Sequence, residues 1–339
     1  MTAETANETE PEQDFISTRN LVIFIAIGVL VYLVIVFYAD FDLVLHALLS
    51  IPWWWVLPTM MAMSFANYAI RFVKWQYYLG LIDVDLPAKK SFSVFLAGFT
   101  LTATPGKIGE AIKGYFCNQL DGTPIAKTVP VVISERITDL LAMVALAIGG
   151  FILAFNVGNQ LLLLAGVGAL AIIGAVILSN KAFYSKILRK LTSFGPLKRY
   201  QDSCDLIEDT LMKTLSPKPL VLSSLVSIPG WFMECMELWL LLSLFNGMGL
   251  PSLAPESLIL LASATFIHAG ASTIGAVLVF LPGGLGGYEA FAIGMMTGLM
   301  ALPAAIASAA TILVRFVTLW FSVMVGFVAM AIVTRMSAN

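Results

Sequence analysis

The chain has 339 residues, 59% of them hydrophobic and only 12% charged, with a formal net charge of −2 at pH 7. A soluble globular domain carries about 25% charged residues, so half that share leaves too few polar groups to cover a surface in water. The composition therefore excludes an ordinary soluble protein and predicts an all-α polytopic membrane protein.

The chain begins with a polar and acidic stretch, residues 1–18, which predicts a disordered cytoplasmic tail before a single transmembrane domain at 19–339. Within that domain, runs of about 20 apolar residues are typical of helices that span a bilayer. The sequence contains six long segments of this kind, at about 20–38, 52–80, 127–156, 159–179, 217–246 and 303–334.

Basic and non-basic connections alternate along these segments. Lys89 and Lys90 follow the second segment and eight basic residues lie within 180–218, whereas the connections at 39–52 and 247–257 carry none. Cytoplasmic loops are the basic ones, and the basic half of the 180–218 connector is expected to lie on anionic lipid. This pattern predicts a multi-pass protein of the cell (plasma) membrane with both termini in the cytoplasm.

Two further segments, 91–118 and 256–300, contain helix breakers inside apolar sequence. Proline removes a backbone donor and glycine permits a turn, and non-helical backbone at membrane depth must be buried in protein or line a wet cavity. Each segment is therefore predicted to be a broken re-entrant hairpin beside a cavity, with two complete crossings as the alternative. The predicted breaks are Pro105, Gly106 and Gly109 in the first and Pro282, Gly283 and Gly286 in the second.

Charged residues follow the two broken segments at the same spacing. Glu110 precedes Arg136 by 26 residues and Glu289 precedes Arg315 by 26 residues, so both residues of the first pair are offset by 179 from the second. Because the two units start on opposite sides of the membrane, they predict an inverted repeat, which is typical of secondary transporters that bind their substrate near the midplane. The predicted units are about 52–156 and about 217–334, with the cytoplasmic connector 180–218 between them.

A charge at membrane depth is costly unless it faces a partner or water. Arg136 has Asp139 one turn away, which predicts either an internal ion pair or an anion site in which Asp139 orients the guanidinium. Arg315 has no acid within a turn, so its partner must come from another helix or from a ligand. Lys107 lies at the first break, where a lysine and a helix N-terminus suit phosphate; Lys113 is expected to face the cytoplasmic entrance.

Carboxylates complete the candidate site. Glu110 and Glu289 are interpreted as ordinary first-turn acids, as counter-ions of the two arginines, or as titrating groups. Glu234 and Glu237, one helical turn apart, indicate a cation or proton site or a contact for a cationic headgroup. Pairing with basic residues of neighbouring helices is the alternative for these two.

Several other polar residues have more ordinary interpretations. Arg71 and Lys74 lie near the cytoplasmic end of the second segment and are expected to extend toward phospholipid headgroups, or to gate lipid entry. His268 is expected to be a hydrogen-bonded core residue rather than a proton shuttle. Three cysteines without metal or redox spacing and only two histidines carry no signature of a metal or cofactor, and we expect none.

Three motifs together, "PGKIGEAIKGYF", "ISERITDLLAMV" and "LPGGLGGYEAFAIG", resemble the transmembrane region of the lysylphosphatidylglycerol synthase/flippase family over about residues 20–334. In the best-known members this region moves an aminoacylated phosphatidylglycerol between leaflets, and a separate aminoacyltransferase domain makes that lipid. The resemblance implies a stand-alone integral membrane member without that domain. The motif positions of the family map onto Pro105, Gly106, Gly109, Glu110, Glu135, Arg136, Asp139, Pro282, Gly283, Gly286, Glu289 and Arg315.

We therefore expect a lipid transporter without catalytic residues, a flippase for a phospholipid or a polyprenyl-phosphate lipid. The expected partner is that lipid and no nucleic acid is expected, while a homo-oligomer is left open. An ion-coupled transporter of a small solute, a membrane-embedded lipid-phosphate transferase or phosphatase, and a scaffold subunit are the alternatives. The expected substrate-binding residues are Lys107, Glu110, Arg136, Asp139, Glu234, Glu237, Glu289 and Arg315.

Overall fold

The computed structural model describes residues 18–104, 108–155 and 203–337, with isolated positions between 166 and 190. These residues fold almost entirely into helices, and no β-strand occurs among them. The predicted tail, the predicted segment at 159–179 and most of the basic connector lie outside this part of the chain, as do the first-break residues Pro105, Gly106 and Lys107.

The first half contains six α-helices and an irregular first break. The break consists of two short 3₁₀ helices, Gly98–Leu101 and Ile108–Ala111, on either side of the undescribed Pro-Gly-Lys. The α-helices are α1 (Thr18–Tyr38), α2 (Phe41–Leu49), α3 (Trp53–Leu81), α4 (Ala88–Ala97), α5 (Ile112–Asp121) and α6 (Ile125–Ala154).

Helix α2 differs from the plain connection expected at 39–52. Asp40 caps it, because its Oδ1 atom accepts hydrogen bonds from the backbone N–H groups of Asp42 and Leu43 at 3.1 and 3.3 Å, which satisfies two donors that a helix start leaves free. The helix axis turns by 102° between α1 and α2. The chain therefore folds back on itself before α3 begins.

The second half contains six further α-helices among the described residues. The last two are joined by a π-helical turn, Phe316–Trp320, into one helix of 34 residues that ends at Ser337. The second break, 278–286, separates the third and fourth. The helices are α7 (Cys204–Thr214), α8 (Pro217–Phe245), α9 (Pro255–Val277), α10 (Gly287–Met300), α11 (Ala304–Arg315) and α12 (Phe321–Ser337).

Four of the described helices are long and apolar enough to cross a membrane: α6, α8, α9 and the joined α11–α12; α1 and α2 add a fifth if they form one bent span. Helix α3 is as long but less apolar. Helix α9, predicted as one arm of a broken hairpin, has 23 residues and is itself long enough to span, since no proline interrupts it between Pro255 and Pro282. The six-span inverted repeat stays a prediction, whereas a chain with several membrane-spanning helices is what the structure describes.

The first break packs against the last helix. Gly326 of α12 approaches the break so closely that a Cβ on this residue would overlap the backbone nitrogen of Thr100. Thr100 itself is fully buried. Glycine therefore lets α12 hold the first break in place by direct backbone contact, and this contact helps to position the site described next.

Candidate functional site

A cavity of about 240 Å³ with charged side chains in its lining lies where the two breaks approach each other. Its walls come from both breaks, from α3, α6, α8 and α9, and from the joined helix α11–α12. Charges are rare in this chain, yet six charged side chains line this one space: Arg71, Glu110, Arg136, Asp139, Glu234 and Arg315.

The second break contributes a glycine-rich turn to the cavity. Gly283 has φ of 58° and Gly286 has φ of 85°, a region that glycine enters without a steric penalty. A Cβ on Gly283 would lie 3.5 Å from the Cα atom of Ala103 in the first break. The two breaks are therefore in contact. On the far side of the first break, the N–H of Gly109 donates to Thr104 Oγ1 at 3.0 Å.

The charge spacing found in the sequence corresponds to two ion pairs. Arg136 Nη2 lies 3.1 Å from Glu110 Oε2, and Arg315 Nε lies 2.8 Å from Glu289 Oε1. The expectation that the partner of Arg315 comes from another helix is confirmed, since Glu289 belongs to α10. The counter-ion interpretation of both glutamates is confirmed as well. Each broken segment thus contributes one glutamate that forms an ion pair with the arginine of a following helix.

The second ion pair is tied to the backbone of its own break. Arg315 Nη2 donates to the carbonyl oxygen of Gly283 at 2.7 Å, and Glu289 Oε2 accepts from the N–H of Gly286 at 2.7 Å. The guanidinium also lies over the ring of Tyr288, 4.7 Å from its centroid. Glu289 is therefore both a first-turn acid of α10 and a counter-ion. The glycine turn, the glutamate and the arginine form one unit.

The first ion pair belongs to a larger charged network centred on Asp139. This carboxylate lies 3.1 Å from Arg71 Nη2, 2.5 Å from Lys74 Nζ and 3.3 Å from Arg136 Nη2. It also accepts a hydrogen bond from Ser227 Oγ at 2.9 Å. The Arg136–Asp139 pair predicted from the sequence is confirmed, but Asp139 neutralises two further cations and links α3, α6 and α8.

Two expectations about basic residues are wrong. Arg71 and Lys74 do not reach toward headgroups; they are 5% and 1% exposed and both bind Asp139. Lys113 does not face an entrance; it is fully buried against Glu135, 2.5 Å away, with its ammonium 4.8 Å from the centroid of the Trp75 ring. A buried cation is costly unless it is paired, and the carboxylates of α6 provide those pairs.

A sequence signal for these residues did exist. Ser64, Asn67, Arg71 and Lys74 recur at three- and four-residue intervals, which places them on one face of a helix. All four are buried. A polar stripe of this length inside an otherwise apolar helix indicates an internal face, whereas headgroup contacts require polar residues at the helix ends only.

Two arginines of the cavity wall have side-chain donors that make no hydrogen bond among the described residues. Within the described part of the chain, the buried Nε atoms of Arg71 and Arg136 donate no hydrogen bond. The Arg136 side chain is 22% exposed, whereas those of its partners Glu110 and Asp139 are 1% and 2% exposed. Unused guanidinium donors beside the cavity suit a planar or tetrahedral oxyanion such as phosphate.

Glu234 and Glu237 lie on α8, next to the polar stripe of α3, and are 5% and 0% exposed. Among the described residues neither has a lysine or arginine within ion-pair distance, so the alternative of basic partners does not hold there. Glu234 accepts from Asn67 Nδ2 and lies 3.2 Å from His268 Nε2; Glu237 accepts from Ser64 Oγ at 2.7 Å. Only Glu234 lines the cavity itself.

Comparisons with known proteins agree with the membrane character of the chain. The profile of the family described as "Lysylphosphatidylglycerol synthase TM region" matches residues 25–326. The chain is 22% identical over 333 residues to the UPF0104 membrane protein MJ1595 of Methanocaldococcus jannaschii, and the match covers 92% of this chain and 95% of that one. With the long apolar helices, these matches identify a multi-pass membrane protein, and the family description is consistent with a lipid-related function.

Proposed function

The chain belongs to the lysylphosphatidylglycerol synthase transmembrane-region family, and from that premise we propose that it is a lipid transporter. It acts as a flippase, which moves the headgroup of a phospholipid or a polyprenyl-phosphate lipid between leaflets through the cavity. It does so without making or breaking a covalent bond, so the charged residues bind and position the lipid and none of them is catalytic.

The observation that carries this proposal is the set of three arginines on the cavity wall, Arg71, Arg136 and Arg315. The network around Asp139 contains four cations, Arg71, Lys74, Lys113 and Arg136, but only three carboxylates, Glu110, Glu135 and Asp139. Among the described residues, these ion pairs therefore leave one positive charge without a carboxylate, beside guanidinium nitrogens that donate no hydrogen bond. A phosphate group would balance this charge and accept those hydrogen bonds.

The roles of the individual residues follow from their contacts. Arg136 and Arg315 bind the phosphate, while Glu110, Glu289 and Asp139 hold the guanidinium groups in position. We assign Lys107 to phosphate binding as well, because it lies at the first break in the sequence. Glu234 provides negative charge on the α8 side of the cavity, and Glu237 lies one turn further along the same helix.

An inverted repeat supports movement of the headgroup across the membrane. The two Glu–Arg pairs have identical sequence spacing, and each links a chain break to the helix that follows it. If the two units have opposite orientations, the site lies between two similar halves, and rocking of one half against the other exposes it to each leaflet in turn.

The size of the cavity favours a lipid whose chains stay outside. A ligand pocket that encloses a drug-sized molecule is typically about 300–1,000 Å³, so about 240 Å³ holds a headgroup and excludes two acyl chains. An apolar groove of about 500 Å³ lies beside the cavity, between α3, α4 and α12. An aromatic contact links the linings of the two spaces: Tyr68 lines the cavity, and its ring centroid lies 6.4 Å from that of Phe321, which lines the groove.

Leaflet-resolved lipid movement in proteoliposomes tests this proposal. A fluorescent anionic phospholipid should become accessible to a membrane-impermeant quencher faster with the wild-type protein than with empty liposomes. Arg136→Ala and Arg315→Ala should each reduce that rate at least about tenfold, the effect of losing about 1.4 kcal/mol of binding. The matched control is Arg335→Ala, at the exposed end of α12.

Three results would count against the proposal. Wild-type rates in both arginine variants would remove the roles given to the two guanidinium groups. Uptake of a water-soluble phosphate without lipid movement would favour a small-solute transporter. A change in the mass of the lipid after incubation with the pure protein would favour an enzyme.

A further inference from the structure

Helix α8 contains two buried carboxyl groups, Glu234 and Glu237, without a lysine or arginine as ion-pair partner among the described residues. Glu234 and Glu237 are three residues apart on α8, a spacing that places side chains next to each other on one helix face. Two carboxylates this close in a low-dielectric interior cannot both ionise at low cost. Within the described residues, no lysine or arginine lies within ion-pair distance of either one.

The hydrogen bonds around the pair distinguish its two members. Glu234 faces donors on both oxygens: Asn67 Nδ2 points at Oε1, and His268 Nε2 lies 3.2 Å from Oε2. If Tyr288 donates its hydroxyl proton to His268 Nδ1, across 2.8 Å, then Nε2 carries the hydrogen of a neutral imidazole and donates it to Glu234. This arrangement stabilises an ionised Glu234.

Glu237 has a different environment. Its Oε2 atom is buried and has no hydrogen-bond partner among the described residues, and its Oε1 atom lies 2.7 Å from Ser64 Oγ. Ser64 Oγ is also 3.2 Å from the carbonyl oxygen of Val317, in the π-helical turn. Glu237 therefore has one shared hydroxyl donor, whereas Glu234 has a donor on each oxygen. An unsatisfied buried carboxylate oxygen is costly, so a single proton on the pair is favoured on Glu237.

The side chains around the pair fit a proton better than a metal ion. The contacts that reach the two carboxyl groups come from donors on Ser64, Asn67 and His268. A hard metal cation instead requires several oxygen ligands. The other titratable or charged groups that face the pair or its partners are Tyr68, Arg71 and Lys74 of α3, Asp139 of α6, Cys235 of α8, Tyr288 of α10 and Arg315 of α11.

We propose that Glu234 and Glu237 together bind one proton, and that this proton couples lipid movement to a proton gradient. In the resting site the proton is on Glu237 and Glu234 is ionised. On discharge, the proton leaves the pair through Glu234, which lines the cavity, and passes to water there; both carboxylates are then charged. The coupling rests on the proposed lipid transport, whereas the binding of the proton does not.

The pair lies close enough to the arginines to affect them. Glu234 contacts His268, His268 contacts the hydroxyl of Tyr288, and the Tyr288 ring lies under the guanidinium of Arg315. A second negative charge on the pair repels an anionic headgroup in the same cavity. Proton binding therefore favours the loaded site, and proton release favours departure of the headgroup.

Infrared spectroscopy of the purified full-length protein tests proton binding without any transport assay. A neutral carboxyl group has a C=O stretching band that is distinct from the bands of a carboxylate. The wild-type protein at pH 7 should show this band for a group shielded from solvent, and Glu237→Gln should lose it. The control Glu256→Gln, at the exposed start of α9, should keep it. An unchanged band in Glu237→Gln would overturn the assignment, as would its absence from the wild type.

Proteoliposomes with a clamped membrane potential test the coupling. At one proton per lipid, a gradient of one pH unit should sustain a leaflet ratio of up to about tenfold, and Glu237→Gln should move lipid with a ratio near one. Lipid movement by the wild type that depends on Na⁺ and not on the pH gradient would contradict proton coupling and favour coupling to a metal cation. If the wild type moves no lipid while the infrared band behaves as expected, the transport proposal fails and the proton site stands.

Discussion

The two Glu–Arg pairs have the same spacing and different surroundings. Glu289 and Arg315 form an isolated pair that is held by the backbone of its own glycine turn. Glu110 and Arg136 are part of a network with five further charged groups on α3, α5 and α6. The same type of Glu–Arg ion pair is thus held by its own backbone turn in the second half and belongs to a charged network in the first half.

The offset of 179 residues explains the difference residue by residue. Lys113, Glu135 and Asp139 of the first half correspond to Ala292, Val314 and Thr318 in the second. Each charged position has become small, apolar or neutral. Thr318 still lines the cavity, as Asp139 does. The comparison shows that the Glu–Arg pair is shared by both halves, whereas the excess of positive charge belongs to the first half alone.

The strongest test of this comparison is Asp139→Ala. Removal of this carboxylate leaves Arg71 and Lys74 buried without their partner, and breaking a buried ion pair costs about 3–5 kcal/mol. The protein should lose that much stability or fail to accumulate, as measured by thermal unfolding in detergent micelles. Thr318→Ala, at the corresponding position, should change the free energy of unfolding by less than about 1 kcal/mol. Equal effects at the two positions would contradict the asymmetry.

A substitution that disturbs packing at the first break alone tests whether α12 holds that break in place. Gly326→Ala places a methyl group against the backbone of Thr100 and should destabilise the protein by about 1–3 kcal/mol, the usual cost of overpacking. The matched control is Gly294→Ala in α10, where a Cβ has no neighbour within 4 Å and the higher helix propensity of alanine should be neutral or stabilising. A neutral Gly326→Ala would mean that α12 does not hold the first break.

A double-mutant cycle on each pair gives the finest comparison. The cycle of Glu289→Gln and Arg315→Gln should yield a coupling free energy of about 2–3 kcal/mol, near the upper end for residues in contact. The cycle of Glu110→Gln and Arg136→Gln should yield about 1 kcal/mol or less, because Arg136 keeps Asp139 at 3.3 Å and Glu110 is also 3.9 Å from Lys113. Unfolding in mixed micelles measures both coupling free energies. Equal or reversed coupling free energies would show that the charges around Glu110 and Arg136 do not weaken the coupling of that pair.

The family, the breaks and the two ion pairs could be predicted from the sequence because charges and helix breakers stand out in apolar surroundings. The family resemblance is confirmed by the match over residues 25–326. Glu110, Arg136, Glu289 and Arg315 each occupy positions where an unpaired charge is costly, so a partner could be inferred for each. The equal spacing then identified which partner belongs to which arginine.

The charged network could not be predicted in full, because it depends on how three helices pack. Arg71 and Lys74 precede the basic residues Lys89 and Lys90 along the chain, so extension toward headgroups was a reasonable expectation. Which carboxylate would receive them depends on the contact between α3 and α6, and no local pattern reports that contact. The existence of α2 was likewise decided by the Asp40 cap rather than by hydropathy.

Tyr288 has two functional surfaces, and this has a mechanical consequence. Its oxygen is bonded to the imidazole of α9, and its flat side supports the guanidinium of α11. A phenol is stiff and turns about only two bonds, so neither neighbour can shift without tilting the plate on which the other depends. Tyr288 therefore links helices α9, α10 and α11 through one rigid side chain.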